Sequence, residues 1–151
     1  MIAAAVVAPE QVAQPTVALF SEKAVGYLTF FLGAPAGFLL VAYNWHQMGQ
    51  PGRMAQRIAA ALTTVLGYAI IWGVAGEYAN GLTGLIGLIF VVALRSQAGA
   101  SEYYASAAGH QLTRRNAWLG AAIGLVTLIA TVVIAFPLSL AVRMLLFNLT
   151  R

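Results

Sequence analysis

Residues 24–52 form the longest uncharged stretch of the chain, bounded by Lys23 and Arg53. About 20 apolar residues cross the hydrocarbon core of a bilayer, so this run is long enough for a transmembrane helix. At its centre stand Gly33, Pro35 and Gly37, within YLTFFLGAPAGFLLVAYNWH, Tyr27 to His46. Pro35 has no N–H for the carbonyl of Phe31, and its ring crowds that carbonyl, so a helix running through it kinks. In lipid the freed carbonyl needs a partner, which turns this face toward protein. Gly33 and Gly37 also make a GxxxG pair on which another backbone can rest. The expectation is a kinked membrane helix with a built-in contact face.

The rest of the composition agrees with a membrane setting. The chain is 61% hydrophobic and 8% charged, with a mean hydropathy of +0.83, whereas soluble domains carry about 25% charged residues. Its 151 residues allow one membrane domain. The net charge of +4 comes from eight Lys and Arg that are scattered along the chain. A nucleic-acid binder clusters its cations on one face, so nucleic acid is not expected as a partner. There is no cysteine, which excludes disulfides, thiolate catalysis and Cys-ligated metals.

The pattern predicts an all-α polytopic bundle of four spans, at about 24–46, 58–76, 79–94 and 117–137. These belong to a single transmembrane domain, 18–151, preceded by a mobile or surface-lying tail, 1–17. Residues 47–56 read as a loop broken by Gly and Pro. The third span is short, ending at Arg95, and is expected to cross fully, with a re-entrant half-helix as the alternative. A polar connector, 95–116, is expected to hold a short surface helix capped by Ser101 and stopped by Gly109. The tail 138–151 either continues past a kink at Pro137 or bends into the interface with Arg143 snorkelling, and the second is preferred.

Four spans would place both ends of the chain on one side. Arg53, Arg57, Arg95, Arg114 and Arg115 then share one face, against Lys23, Arg143 and Arg151 on the other. The positive-inside rule puts the Arg-bearing loops in the cytoplasm and both termini outside. Arg53, Arg57, Arg114 and Arg115 are expected to touch lipid headgroups.

Chemistry is sparse. His46 sits beside Trp45 at an interface, where polar side chains collect. Glu102 and His110 share the connector but offer two ligands without a third or fourth. No nucleophile–base–orienter set, phosphate-cradling loop or HExxH is present, so catalysis, metal binding and a cofactor are not expected.

From about Ala18 onward the chain resembles a family of small, uncharacterised four-helix bacterial integral membrane proteins. The resemblance rests on LFSEKAVGYLTFFLGAPAGFLLVAYNW, Leu19 to Trp45, which is similar to a Thr-Phe-x-Gly-x-Pro-x-Ala-Gly first helix at Thr29, Phe30, Gly33, Pro35, Gly37 and Asn44. It implies a four-helix architecture and no activity.

Four small-residue faces remain: Gly33 with Gly37, Ala59 with Thr63 and Gly67, Gly81 with Gly84 and Gly87, and Gly120 with Gly124. Membrane helices associate chiefly by close packing through such faces. They lead to the expectation of an accessory or scaffold subunit. It would pack, through Gly33, Pro35, Gly37, Ala59, Thr63, Gly67, Gly120 and Gly124, against itself or another integral membrane protein. The alternative is a small homo-oligomeric transporter or channel with the Gly33–Gly37 kink lining the path.

Overall fold

The structure, a computed structural model, describes residues 15–150. Residues 1–14 of the expected tail and Arg151 lie outside that range. The order is β1 (Thr16–Leu19), α1 (Glu22–Leu32), α2 (Ala34–Gln47), α3 (Pro51–Ala75), a 3-10 turn (Gly76–Tyr78), α4 (Ala79–Ala107), β2 (Gln111–Arg114) and α5 (Ala117–Leu149).

The stretch expected to be one kinked helix is a hairpin of two. Ser21 caps α1 by accepting from the Ala24 amide at 3.2 Å. The helix then stops at Gly33, whose φ of 86° is one that side chains disfavour. Pro35 falls in the first turn of α2, where its missing N–H costs nothing because first-turn donors have no intrahelical acceptor. The proline therefore starts a helix instead of bending one. The chain reverses, and the far end of α2 returns to the start of α1: both backbone groups of Phe20 bond to Asn44. Near the tip, a Cβ on Gly37 would collide with Thr29 Oγ1 and come within 2.8 Å of Leu94 Cδ1.

Three helices, α3, α4 and α5, are long and apolar enough to cross a membrane. At 1.5 Å per residue their 25, 29 and 33 residues give about 38, 44 and 50 Å. The 11 and 14 residues of α1 and α2 give only about 16 and 21 Å. The hairpin thus reaches about half the length of its neighbours.

Four further expectations are corrected. The third span is neither short nor a half-helix, because α4 continues through the first half of the connector. Arg95 does not end it, since Glu22 neutralises that charge at 2.6 Å. Ser101 lies inside α4, fully buried, instead of capping a separate helix. Gly109, at φ 76°, does stop the helix, with His110 N–H bonded to Ala105 O and Gly109 N–H to Ser106 O. Gly49 ends α2 in the same manner, through Gln50 N–H to Trp45 O. The loop expected at 47–56 is therefore short, for Pro51 opens α3. The tail also stays with α5, which runs through Pro137 to Leu149. Gly73 on α3 admits Val142 there; a Cβ on Gly73 would lie 2.7 Å from Val142 Cβ.

Two short strands join the helices. β1 and β2 pair in parallel, from Thr16 opposite Gln111 to Leu19 opposite Arg114. Val17 and Leu19 turn inward, and the largest fully buried side chains (Phe20, Leu40 and Leu94) gather around the hairpin. The dense core therefore sits in the strand half of the bundle. Pro15 lies beside Gln111 at that end, while Arg143, beside Gly76, lies at the other.

Candidate functional site

The base of the hairpin is locked by one amide. Asn44 on α2 is fully buried. Its Oδ1 accepts from Phe20 N–H at 2.8 Å, and its Nδ2 donates to Phe20 O at 3.0 Å and to Ser101 Oγ at 3.1 Å. Ser101 in turn donates to Ala98 O at 2.7 Å. One side chain thereby joins the segment before α1, α2 and α4, and leaves none of these buried groups unpaired.

Two carboxylates flank the start of α1. Glu102 Oε1, from α4, accepts from the Glu22 amide at 2.9 Å. Glu22 Oε1 meets Arg95 Nε at 2.6 Å. Both negative charges lie where the N-terminal amides of α1 favour them. Gly99 gives Glu22 its room, since a Cβ there would stand 3.3 Å from Oε2. Glu102 is thus occupied at α1, and His110 lies beyond the end of α4. Among the described residues no group of three His, Cys, Asp or Glu side chains could hold a metal.

Around this polar base runs a rim of cations on aromatic rings. The Arg53 guanidinium lies 4.4 Å from the Trp45 ring centre and 5.3 Å from that of Tyr104. Trp45 and Tyr104 meet edge to face at 5.6 Å. Arg115 lies 5.6 Å from the Tyr43 ring, which itself packs on Phe20 at 5.2 Å. Arg57 follows Arg53 by one turn on α3, and Arg114 ends β2. Lys23, on the first turn of α1, joins them, because the hairpin returns α1 and α2 to the same end. The strand end therefore carries Lys23, Arg53, Arg57, Arg95, Arg114 and Arg115, and among the described residues Arg143 is the one cation at the far end.

The small-residue faces divide into two sets. Gly37 is covered by Thr29 and Leu94, Gly120 by Phe20 and Leu28, and Gly124 by Leu32. These three serve the fold. On α3, Ala59 and Thr63 are exposed, and Gly67 has open space where a Cβ would project. On α4 the same holds for Gly81, Gly84 and Gly87. The α4 face lines a cleft of about 620 Å³ with Gly33, Tyr68, Trp72, Asn80 and Thr83. The cleft exists because the hairpin stops half-way, leaving α3 and α4 uncovered beyond its tip.

Sequence reasoning missed the lock formed by Asn44 and Ser101, the Glu22–Arg95 pair and the Gly73–Val142 contact. A signal for the first was present: an asparagine inside an apolar run needs a buried partner. No family model, curated protein or solved structure matches this chain.

Proposed function

We propose that this chain is a small accessory subunit of a bacterial inner membrane, binding a transmembrane helix of another protein or of a second copy. The observation that carries the reading is the cleft beyond the hairpin tip, whose wall is the open face of Gly81, Gly84 and Gly87. Small residues allow helix backbones to approach closely, and no described residue stands within 4 Å of where a Cβ would project from these glycines. The exposed Ala59–Thr63–Gly67 stripe of α3 offers a second contact of the same kind.

The cation distribution supports an orientation with the strand end in the cytoplasm. Among the described residues, six cations stand at the strand end against Arg143 at the other. Three crossings put residues 15 and 150 on opposite sides of the membrane, in place of the arrangement with both ends outside. The headgroup role of Arg53, Arg57, Arg114 and Arg115 belongs to the same reading.

Extraction from native membranes in nanodiscs, followed by native mass spectrometry, tests the reading. Wild type is expected to emerge with other gene products, or a second copy, at fixed stoichiometry. Gly84→Leu is expected to emerge without them while keeping its thermal stability. Co-extraction of the same partners by Gly84→Leu would remove the cleft from the interface.

A second reading, passage of a polar solute through an oligomer, has one observation in its favour. The cleft carries Asn80 and Thr83, and Trp72 Nε1 there is buried without a hydrogen-bond partner. Liposome flux that Trp72→Phe alters without changing the oligomer would favour passage over helix binding.

A further inference from the structure

We propose that the groove between α1 and α4 at the strand end holds one anionic phospholipid, its phosphate bound by Lys23 and Arg95. The groove adjoins the partner-binding cleft, sharing Phe30, Phe31 and Val91 with it, but its cations, Lys23 and Arg95, belong to the groove alone. The groove has a volume of about 420 Å³, and its lining changes character along its length. Lys23 and Arg95 stand at one end, and Tyr27, Phe30 and Phe31 form the wall below them.

The sequence places these groups in line. Lys23, Tyr27 and the Phe30–Phe31 pair recur at helical spacing on one face of α1. From Lys23 to Phe31 the helix descends about 12 Å, from the charged rim toward the apolar middle of the bundle. Tyr27 is 67% exposed and Phe31 73%, and Phe30 meets Phe31 edge to face at 5.1 Å. Val91 lies one turn from Arg95 on the facing helix. A headgroup and the start of an acyl chain require this same order of cation, then aromatic wall.

The charges select the headgroup. Glu22 engages only Nε of Arg95, so the Nη1 and Nη2 edge has no partner among the described residues. That edge is the fork that grips two oxygens of a phosphate. The Arg95 stem lies across α1 at Gly26, where a Cβ would stand at ordinary contact distance, 3.5 Å from Arg95 Cδ. Lys23 has no carboxylate partner among the described residues. The groove's lining carries two cations and no carboxylate, which suits a phosphodiester. A zwitterionic lipid brings a further cation, and the two carboxylates at the start of α1 are already engaged, Glu22 by Arg95 and Glu102 by the Glu22 amide.

The test is native mass spectrometry of the full chain in neutral detergent, supplied with phosphatidylglycerol, phosphatidylcholine or glycerol phosphate. Wild type is expected to retain one phosphatidylglycerol and to lose phosphatidylcholine. Lys23→Gln, at an exposed position with no partner to lose, is expected to lower retention about fivefold, since a cation near a lipid surface contributes on the order of a fivefold change in binding. Arg57→Gln, a cation of the same end outside the groove, is expected to leave it unchanged. Phe31→Ala is expected to weaken lipid binding and leave glycerol phosphate unaffected. Equal retention of the two lipids overturns the proposal, as does a Lys23→Gln protein that holds lipid like wild type. An Arg57→Gln effect as large as that of Lys23→Gln overturns it too, by making the attraction a property of the whole rim. Glycerol phosphate bound as tightly as the lipid would reduce the groove to an anion site and overturn it.

Discussion

The carboxamide of Asn44 satisfies both backbone groups of Phe20, which lies 24 residues earlier in the chain. That pairing is possible only if the intervening segment turns back on itself. It makes Asn44 the lock of the hairpin, and Ser101 ties the lock to α4 at 3.1 Å.

Asn44→Leu removes the partner of a buried N–H and a buried C=O together. An orphaned buried group costs on the order of 1–3 kcal/mol, so a loss of roughly 2–4 kcal/mol is expected. Asn44→Asp fails nearly as badly, because a carboxylate has no donor for Phe20 O. Ser101→Ala is milder, about 1 kcal/mol, as Nδ2 keeps its bond to Phe20. Thermal unfolding in detergent should rank the three in that order. A Ser101→Ala protein weaker than Asn44→Leu would show that the lock lies on α4 instead.

Gly33 offers a test by sign. In the interior of a continuous helix, Gly→Ala stabilises by about 1 kcal/mol. At φ 86° a Cβ is strained, and the same change destabilises by roughly 1–2 kcal/mol. Gly33→Ala is expected to lower the unfolding temperature. A rise would restore the single kinked helix.

The apolar runs that became α3 and α5 were plain in the sequence, as was the stop at Gly109, because each depends on local composition. The reversal at Gly33 was not. A Gly-Ala-Pro triplet is compatible with a kink in a long helix and with a boundary between two short ones. Asn44 decides between them, through bonds that exist only in the folded chain. Arg95 misled for a related reason: a charge reads as the end of a span until its partner is known, and Glu22 is far away in sequence. The strands were hidden by length, since TVAL and QLTR are four residues each and each needs the other. The open and occupied glycine faces look alike in sequence because their difference lies wholly in what stands opposite.

The number of crossings can be read by chemistry the chain itself lacks, as it has no cysteine. Single cysteines at Thr16, Gln47, Tyr78 and Asn148, all exposed positions, report sidedness with a membrane-impermeant maleimide. With the hairpin, positions 16 and 47 label from one side and positions 78 and 148 from the other. Four crossings would separate 16 from 47. Labelling of those two from opposite faces of sealed vesicles would therefore rule out the folded-back hairpin in the membrane.

The two kinds of glycine face predict opposite responses to one methyl group. At Gly73 a Cβ would lie 2.7 Å from Val142 Cβ and 3.0 Å from Ser139 O. Neither atom is the free end of a flexible side chain, so α5 itself must move, and overpacking of this kind costs about 1–3 kcal/mol. At Gly84 there is open space, and the same change in a helix interior gains up to about 1 kcal/mol by propensity. Gly73→Ala should lower the unfolding temperature of the detergent-solubilised protein, and Gly84→Ala should hold or raise it. If a partner helix fills the cleft in the native membrane, Gly84→Ala should weaken the extracted complex while the isolated chain stays as stable as before. A Gly73→Ala protein as stable as wild type would mean that α3 and α5 do not meet at Val142, and the far end of the bundle would have to be repacked.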